Sequence, residues 1–267
     1  MKRLFIVLLL LLLTGCGAGL PDETAASTQQ PEEAPPVRVG ILDSGISPQA
    51  APYTDTGWNY LDESQATEDD AGHGTRIAEL IHLGAPDAVL VPLKISGSGA
   101  DTTSEIVIHA IYDAVDRFDC DVLCMAFSIP DSEALRDAVA YAEQRGVILI
   151  SAAGNLGDTF KRDKLLYPAA YETVVGVGAV DEANEVAPYS QRSRSVFVTA
   201  LGDSADGTQQ GTSFAAARIA GICAGSRWST PEAFRSALCL QAEDRGPTGY
   251  DTDYGWGVVA ANWDDHA

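Results

Sequence analysis

The sequence predicts an α/β chain: a three-layer fold with a mainly parallel central sheet and helices on both faces. Two observations predict it. Short apolar runs alternate with longer stretches whose apolar residues recur at helical spacing, the pattern of strands joined by crossover helices. The apolar runs are also short, with DVLCMAF reading as a buried strand, and a sheet of this kind carries its site beyond the carboxyl ends of its strands. A chain of 267 residues, 46% hydrophobic, is long enough for one well-filled domain and short for two. We see no internal repeat.

Taken in order, VRVGIL (37–42) is the first strand and ends at Asp43. AGHGTRIAELI (71–81) places His73 between Gly72 and Gly74, ahead of a helical run with Thr75 as its cap. AVLVPLKI (88–95) is a second strand, and TSEIVIHAIYDAVDRF (103–118) a helix capped by Thr103 or Ser104. DVLCMAF (121–127) reads as a buried strand. DSEALRDAVAYAEQRG (131–146) is a helix with an acidic start and a glycine stop. VILISAAGN (147–155), ETVVGVGAV (172–180) and SVFVTA (195–200) are further strands. GTSFAAARIAGICAG (211–225) and TPEAFRSALCLQA (230–242) are helices, the second with Pro231 at its first helical position.

Residues 37–267 form this body; the N-terminus stands apart. Lys2 and Arg3 precede an apolar run from Leu4 to Leu13, too short for a bilayer span and the length of a signal-peptide core. It ends in Leu13-Thr14-Gly15-Cys16, which resembles a bacterial lipobox. That implies a signal peptide over 1–15, lipid on Cys16, and a tether over 16–36 whose polar, Pro-rich composition predicts disorder. A flexible tether of about 20 residues holds the domain roughly 25 Å from its anchor. The expected location is the extracytoplasmic face of a bacterial membrane.

The net charge of −21 disfavours nucleic acid and anionic lipid headgroups as partners, and solubility explains it. Besides Cys16 there are Cys120, Cys124, Cys223 and Cys239. Cys120 and Cys124 share a strand and lie roughly 13 Å apart, too far for a bridge. Cys223 and Cys239 lie in consecutive helices and could meet, but buried free thiols are expected for all four.

Four polar residues stand at strand ends or helix starts, each with glycine close by: Asp43, His73, Asn155 and Ser213. Each has a plain alternative. Asp-Ser-Gly makes a turn, His73 can sit in a loop, Asn155 can cap, and Ser213 can begin a helix. Together they supply a hydroxyl, a base, an acid to orient the base and an oxyanion donor, the set that acyl transfer needs. Their order, Asp, His, Ser, is one of the known triad orders.

VGILDSGI, GHGTRIA, SAAGN and GTSFAAARIAG, with YPAAYETVVGVGAV (167–180) and YGWGVVAA (254–261), resemble the motifs of the subtilisin-like serine peptidases over nearly all of 37–263. The resemblance implies a subtilisin-like fold and an endopeptidase acting on extended peptide or unfolded protein. Ser213 would be the nucleophile and His73 the base. Asp43 would orient His73, and Asn155 would join the Ser213 N–H at the oxyanion. Ser96, Gly97 and Ser98 would lie on the edge that pairs with substrate, and Ala126, Phe127 and Ser128 would line the first specificity pocket. The chain departs from the family at Ala217, where proline is usual, and at Arg76 and Glu79, where histidine and glycine are usual. Ser128 stands in place of glycine. The short HLGAPDA stretch leaves out the family's calcium loop, so neither metal nor cofactor is expected. Fewer than 30 residues separate Cys16 from Asp43, too few for a folded propeptide. A dedicated peptide-processing role fits the anchor and the trimmed loops. The alternative is a weak or inactive peptide-binding lipoprotein on the same scaffold.

Overall fold

A computed structural model describes residues 34–157, 159 and 164–260. The predicted signal peptide, Cys16 and most of the tether lie outside the described residues. No helix among the described residues is long and apolar enough to cross a membrane.

The strands are β1 (Arg38–Asp43), β2 (Trp58–Asn59), β3 (Val89–Lys94), β4 (Val122–Met125), β5 (Ile148–Ala152), β6 (Val175–Val180) and β7 (Val198–Leu201). They form one seven-stranded sheet in the order β2-β3-β1-β4-β5-β6-β7, with every pairing parallel. The helices are α1 (His73–Gly84), α2 (Ser104–Asp116), α3 (Glu133–Gln144), α4 (Thr212–Gly225) and α5 (Pro231–Gln241). Strand alternation sorts the core into two halves. Val39 and Ile41 face α1, α4 and α5, while Leu42 and Leu123 face α2 and α3. The three layers follow.

From β1 the chain runs to β2 and β3 on one side and then to β4 on the other, so β1 is the switch point of the sheet, where a crevice opens beyond the strand ends. Register aligns those ends: Asp43 opposite Lys94, Leu42 opposite Met125, and Met125 opposite Ser151.

α4 is buried almost all round, from Thr212 and Ser213 to Cys223 and Ala224, which makes it a core helix with no solvent stripe. Small residues let α1 approach it closely. A Cβ on Gly84 would come within 3.0 Å of Gly221 Cα, and one on Gly221 within 3.1 Å of the Ile81 carbonyl.

Several expected boundaries shift. α1 begins at His73 itself, with Gly72 at its N-cap in the left-handed region (φ 79°), and Thr75 lies inside the first turn without capping it. Thr103, Ser132 and Thr230 do cap α2, α3 and α5 through their hydroxyls. Ser213 is the second residue of α4, after Thr212. β2 was not expected, since two residues carry no period. Cys120, Cys124 and Cys223 are free and buried, but the free Cys239 is only half-buried, because its face of α5 looks outward beside the exposed Leu240.

Candidate active site

Asp43 is the last residue of β1 and is buried. Both its oxygens face Nδ1 of His73, at 2.8 and 2.9 Å, and Oδ1 also accepts from the Ser44 N–H at 2.7 Å. An acceptor-only carboxylate on Nδ1 leaves Nε2 as the nitrogen that exchanges protons. The His73 pKa is raised. Burial, the largest influence, pulls it down, but the hydrogen bond and charge of Asp43, with Asp69 beyond, outweigh that pull.

The turn after β1 and the start of α1 fit without slack. A Cβ on Gly74 would meet the Gly45 carbonyl at 2.2 Å, so only glycine lets the helix sit over that turn. Asp69 ties the two together. Its Oδ1 accepts from Ser44 Oγ at 2.8 Å and from the N–H groups of Ala71 and Gly72 at 3.0 and 2.7 Å. Its Oδ2 accepts from the Thr75 N–H at 2.8 Å and Oγ1 at 2.6 Å. Burial raises the Asp69 pKa, and the donors from Thr75, Ser44 and Gly72 overcome that and hold it below the usual range. Behind them, the buried Lys94 ammonium donates to the carbonyls of Ser44 (2.6 Å) and Glu68 (2.9 Å) and to Asp70 Oδ1 (2.8 Å).

Ser213 lies in the first turn of α4, where free N–H groups favour negative charge. Its hydroxyl donates to the Ala126 carbonyl at 3.2 Å. The His73 ring rests 5.6 Å from that of Phe214, the residue after Ser213, so imidazole and hydroxyl share one corner of the crevice. Asn155 follows β5. Its Oδ1 accepts from the Thr212 N–H and Oγ1, both at 3.0 Å, and Thr212 Oγ1 accepts from the Gly154 N–H at 3.1 Å. A backbone N–H can only donate, so the amide oxygen must face Thr212 and Nδ2 is left as the free donor. Asn155 therefore both caps α4 and holds out a donor beside it.

Ala126, Phe127 and Ser128 form one wall of a cavity of about 350 Å³ that also reaches Asn155 and Ser213. The expected edge at 96–98 is a different matter. The Gly97 N–H and carbonyl both pair with Ala100 at 3.1 Å, and the Ser96 N–H turns toward the Asp43 carbonyl at 3.4 Å. The Ser98 N–H bonds Asp70, whose carboxyl is held low first by Lys94 and then by that amide. Gly97 thus spends its backbone groups within its own turn.

Asp69, Lys94 and Thr212 were missed from the sequence. The signals were present: an acidic pair just before AGHG, one lysine closing an apolar run, and a threonine inside GTS. Arg76 finds its carboxylate in Asp206, at 3.8 Å.

Residues 36–257 match the model described as the subtilase family, and the chain belongs to that family. It is 32% identical to subtilisin DY of Bacillus licheniformis over 249 residues, covering 84% of this chain and 88% of that protein. It is 31% identical to the major intracellular serine protease of Bacillus subtilis (strain 168), covering 76% of this chain and 72% of that one. The minor extracellular protease Epr of the same strain is 29% identical over 84% of this chain, which spans only 37% of Epr. A solved structure titled as that of a lanthipeptide protease superposes with a TM-score of 0.73 at 26% identity, covering 84% of this chain and 85% of that one. By class the chain is a subtilisin-like serine protease.

Proposed function

We propose that the chain is a membrane-tethered serine endopeptidase that works through Asp43, His73 and Ser213, with Asn155 at the oxyanion. The observation that carries it is the two-oxygen contact of Asp43 with His73 Nδ1, next to the first turn of α4. Rotation of the Ser213 side chain moves its hydroxyl from Ala126 to His73 Nε2. Oγ then bonds to the scissile carbonyl carbon as its proton passes to Nε2. Asp43 stabilises the imidazolium. The carbonyl oxygen, now an anion, takes bonds from Asn155 Nδ2 and the Ser213 N–H. Collapse of the intermediate breaks the C–N bond, and the amine leaves with the proton from His73. Water enters by the reverse sequence and frees Ser213.

The lipobox-like Leu13-Thr14-Gly15-Cys16 supports anchoring outside the cytoplasmic membrane, and the short loops support a dedicated peptide-processing role. The likeness to a structure titled as a lanthipeptide protease favours a modified or precursor peptide as substrate. The Ser213 hydroxyl on Ala126 is the one observation favouring a binding scaffold without turnover.

A fluorophosphonate probe separates the two readings. Wild type is expected to gain one adduct by intact mass, and Ser213→Ala none. A folded wild type that takes up no probe leaves the binding scaffold. Membrane fractionation tests the anchor: the wild type is expected in the membrane pellet and Cys16→Ala in the soluble fraction.

A further inference from the structure

We propose that the cavity beside Ser213 accepts an acidic side chain, so that the chain cuts after glutamate or aspartate, and that Lys164 selects it. This rests on the protease reading above.

Most of the cavity is apolar. Ala126, Phe127, Leu156 and Leu166 supply its surface, and a wall of that kind discriminates by size alone. Lys164 breaks the pattern. It is the sole ionised side chain among the described residues that line the cavity, and no carboxylate lines it with them. The other described lysine makes the contrast plain: Lys94 is buried with its ammonium spread over three oxygens. Lys164 is exposed and has no carboxylate partner among the described residues. Its charge remains available to a ligand.

Its backbone is nonetheless fixed. The Lys164 carbonyl accepts from Gln191 Nε2 at 2.9 Å, the Leu166 N–H donates to Ser195 Oγ at 3.3 Å, and the Tyr167 carbonyl accepts from the Ile129 N–H at 2.9 Å. The last bond ties this segment to the opposite wall, just past Ser128. A four-carbon stem rooted at a fixed rim can bring its ammonium over the opening.

Depth points the same way. A Cβ on Gly154 would meet Leu166 Cδ1 at 2.1 Å, so Leu166 fills the space beside Gly154. A long aromatic ring loses that space, whereas a short carboxylate stops at the rim. Ser128, exposed on the facing wall, adds a hydroxyl donor where glycine is usual. The sequence carries an independent sign. Residues 160–164 read FKRDK in a chain of net charge −21, so basic residues gather in the stretch that leads into the cavity wall. Residues 160–163 are outside the described structure, and the proposed site does not include them.

An exposed ion pair is worth up to about a fivefold preference, and a half-enclosed rim raises that to about tenfold. The test uses the full chain in detergent and chromogenic tetrapeptides that differ only in the residue before the cut: Glu, Asp, Gln, Leu, Phe or Lys. Fluorophosphonate titration counts competent Ser213 first. The wild type is expected to show a kcat/KM for Glu about five- to tenfold above that for Gln, and a Glu rate above Leu. Lys164→Met should bring the Glu/Gln ratio to about one. Lys164→Glu should favour Lys. Leu166→Ala should restore use of Phe. A labelled wild type with a Glu/Gln ratio near one, or a ratio that Lys164→Met leaves intact, overturns the proposal and spares the protease reading. A wild type that is not labelled overturns both.

Discussion

Lys94→Met tests how the catalytic corner is held. Lys94 is opposite Asp43 across the β1–β3 pairing, and its ammonium bonds the Ser44 and Glu68 carbonyls and Asp70. Methionine keeps most of the buried stem and removes the donor. Each carbonyl left without a partner in a buried place costs about 1–3 kcal/mol. Asp70 is more than half exposed and rehydrates, so its loss adds little. The two carbonyls sum to about 2–6 kcal/mol, a large share of the roughly 5–15 kcal/mol by which a domain is stable. The Ser44 N–H donates to Asp43 and its hydroxyl to Asp69, so a freed Ser44 peptide loosens Asp43 and the α1 start together. A drift of about 1 Å at a reacting group costs about 10²-fold. We expect kcat to fall by about 10–100-fold with KM little changed, since the cavity wall at 126–128 is not touched. Stability is measured by urea unfolding in a Ser213→Ala background, because an active protease digests its own unfolded fraction and makes the transition irreversible. Turnover is measured with Ser213 intact and normalised to probe-labelled enzyme. Lys94→Arg retains a donor and should recover part of both losses. A midpoint shift worth less than about 1 kcal/mol, together with kcat within twofold of wild type, would refute the reasoning.

Further outcomes follow from the same geometry. kcat/KM should rise with pH as His73 loses its proton, with a midpoint above the ordinary 6.5; a midpoint at or below 6.5 counts against the Asp43 contact. The raised pKa also fixes the sign for stability. The pair contributes fully below the pKa of an unfolded histidine, and the contribution is lost as pH rises through the folded value, which pH-dependent unfolding of the Ser213→Ala protein reads out. Asp43→Asn leaves burial as the largest influence on His73, so the midpoint should move down while kcat drops by about 10⁴, seen in the pH–rate profile. Asn155→Leu should lower kcat by about 10²–10³ with KM nearly constant in steady-state kinetics, since Nδ2 acts on charge that exists only in the transition state. Gly74→Ala pushes a methyl into the Gly45 carbonyl, and thermal unfolding should show a loss of about 1–3 kcal/mol accompanied by slower turnover.

The parts legible in the sequence share one physical trait: their signal is local. Apolar runs of strand length and helical spacing announced β1, β3, β4, α2 and α3. The hydroxyls of Ser132 and Thr230 and the ring of Pro231 announced helix starts within one turn of where they fall. Asp43, His73, Asn155 and Ser213 stood out because each is polar where an apolar run stops. Lys94 acts across a loop and Asp69 reaches back to Ser44, and nothing within a few residues of either reveals those distant partners. The turn at 96–98 was equally hidden. Its Ser-Gly-Ser composition gives no sign that Gly97 pairs with Ala100 inside the turn.

Gly221 shows how a local signal can point the wrong way and still be informative. Glycine inside a helix costs about 1 kcal/mol relative to alanine, so propensity alone argues against α4 running through it. The structure gives the compensation: Gly221 faces Gly84, and the two backbones pack with no side chain between them. That contact sets the distance between α1, which carries His73, and α4, which carries Ser213. A methyl at either glycine would press on the facing backbone at the end away from the site and tilt His73 and Ser213 relative to each other. The glycine that weakens α4 as a helix is therefore what lets it be a neighbour of α1, and the reacting corner depends on that neighbourhood.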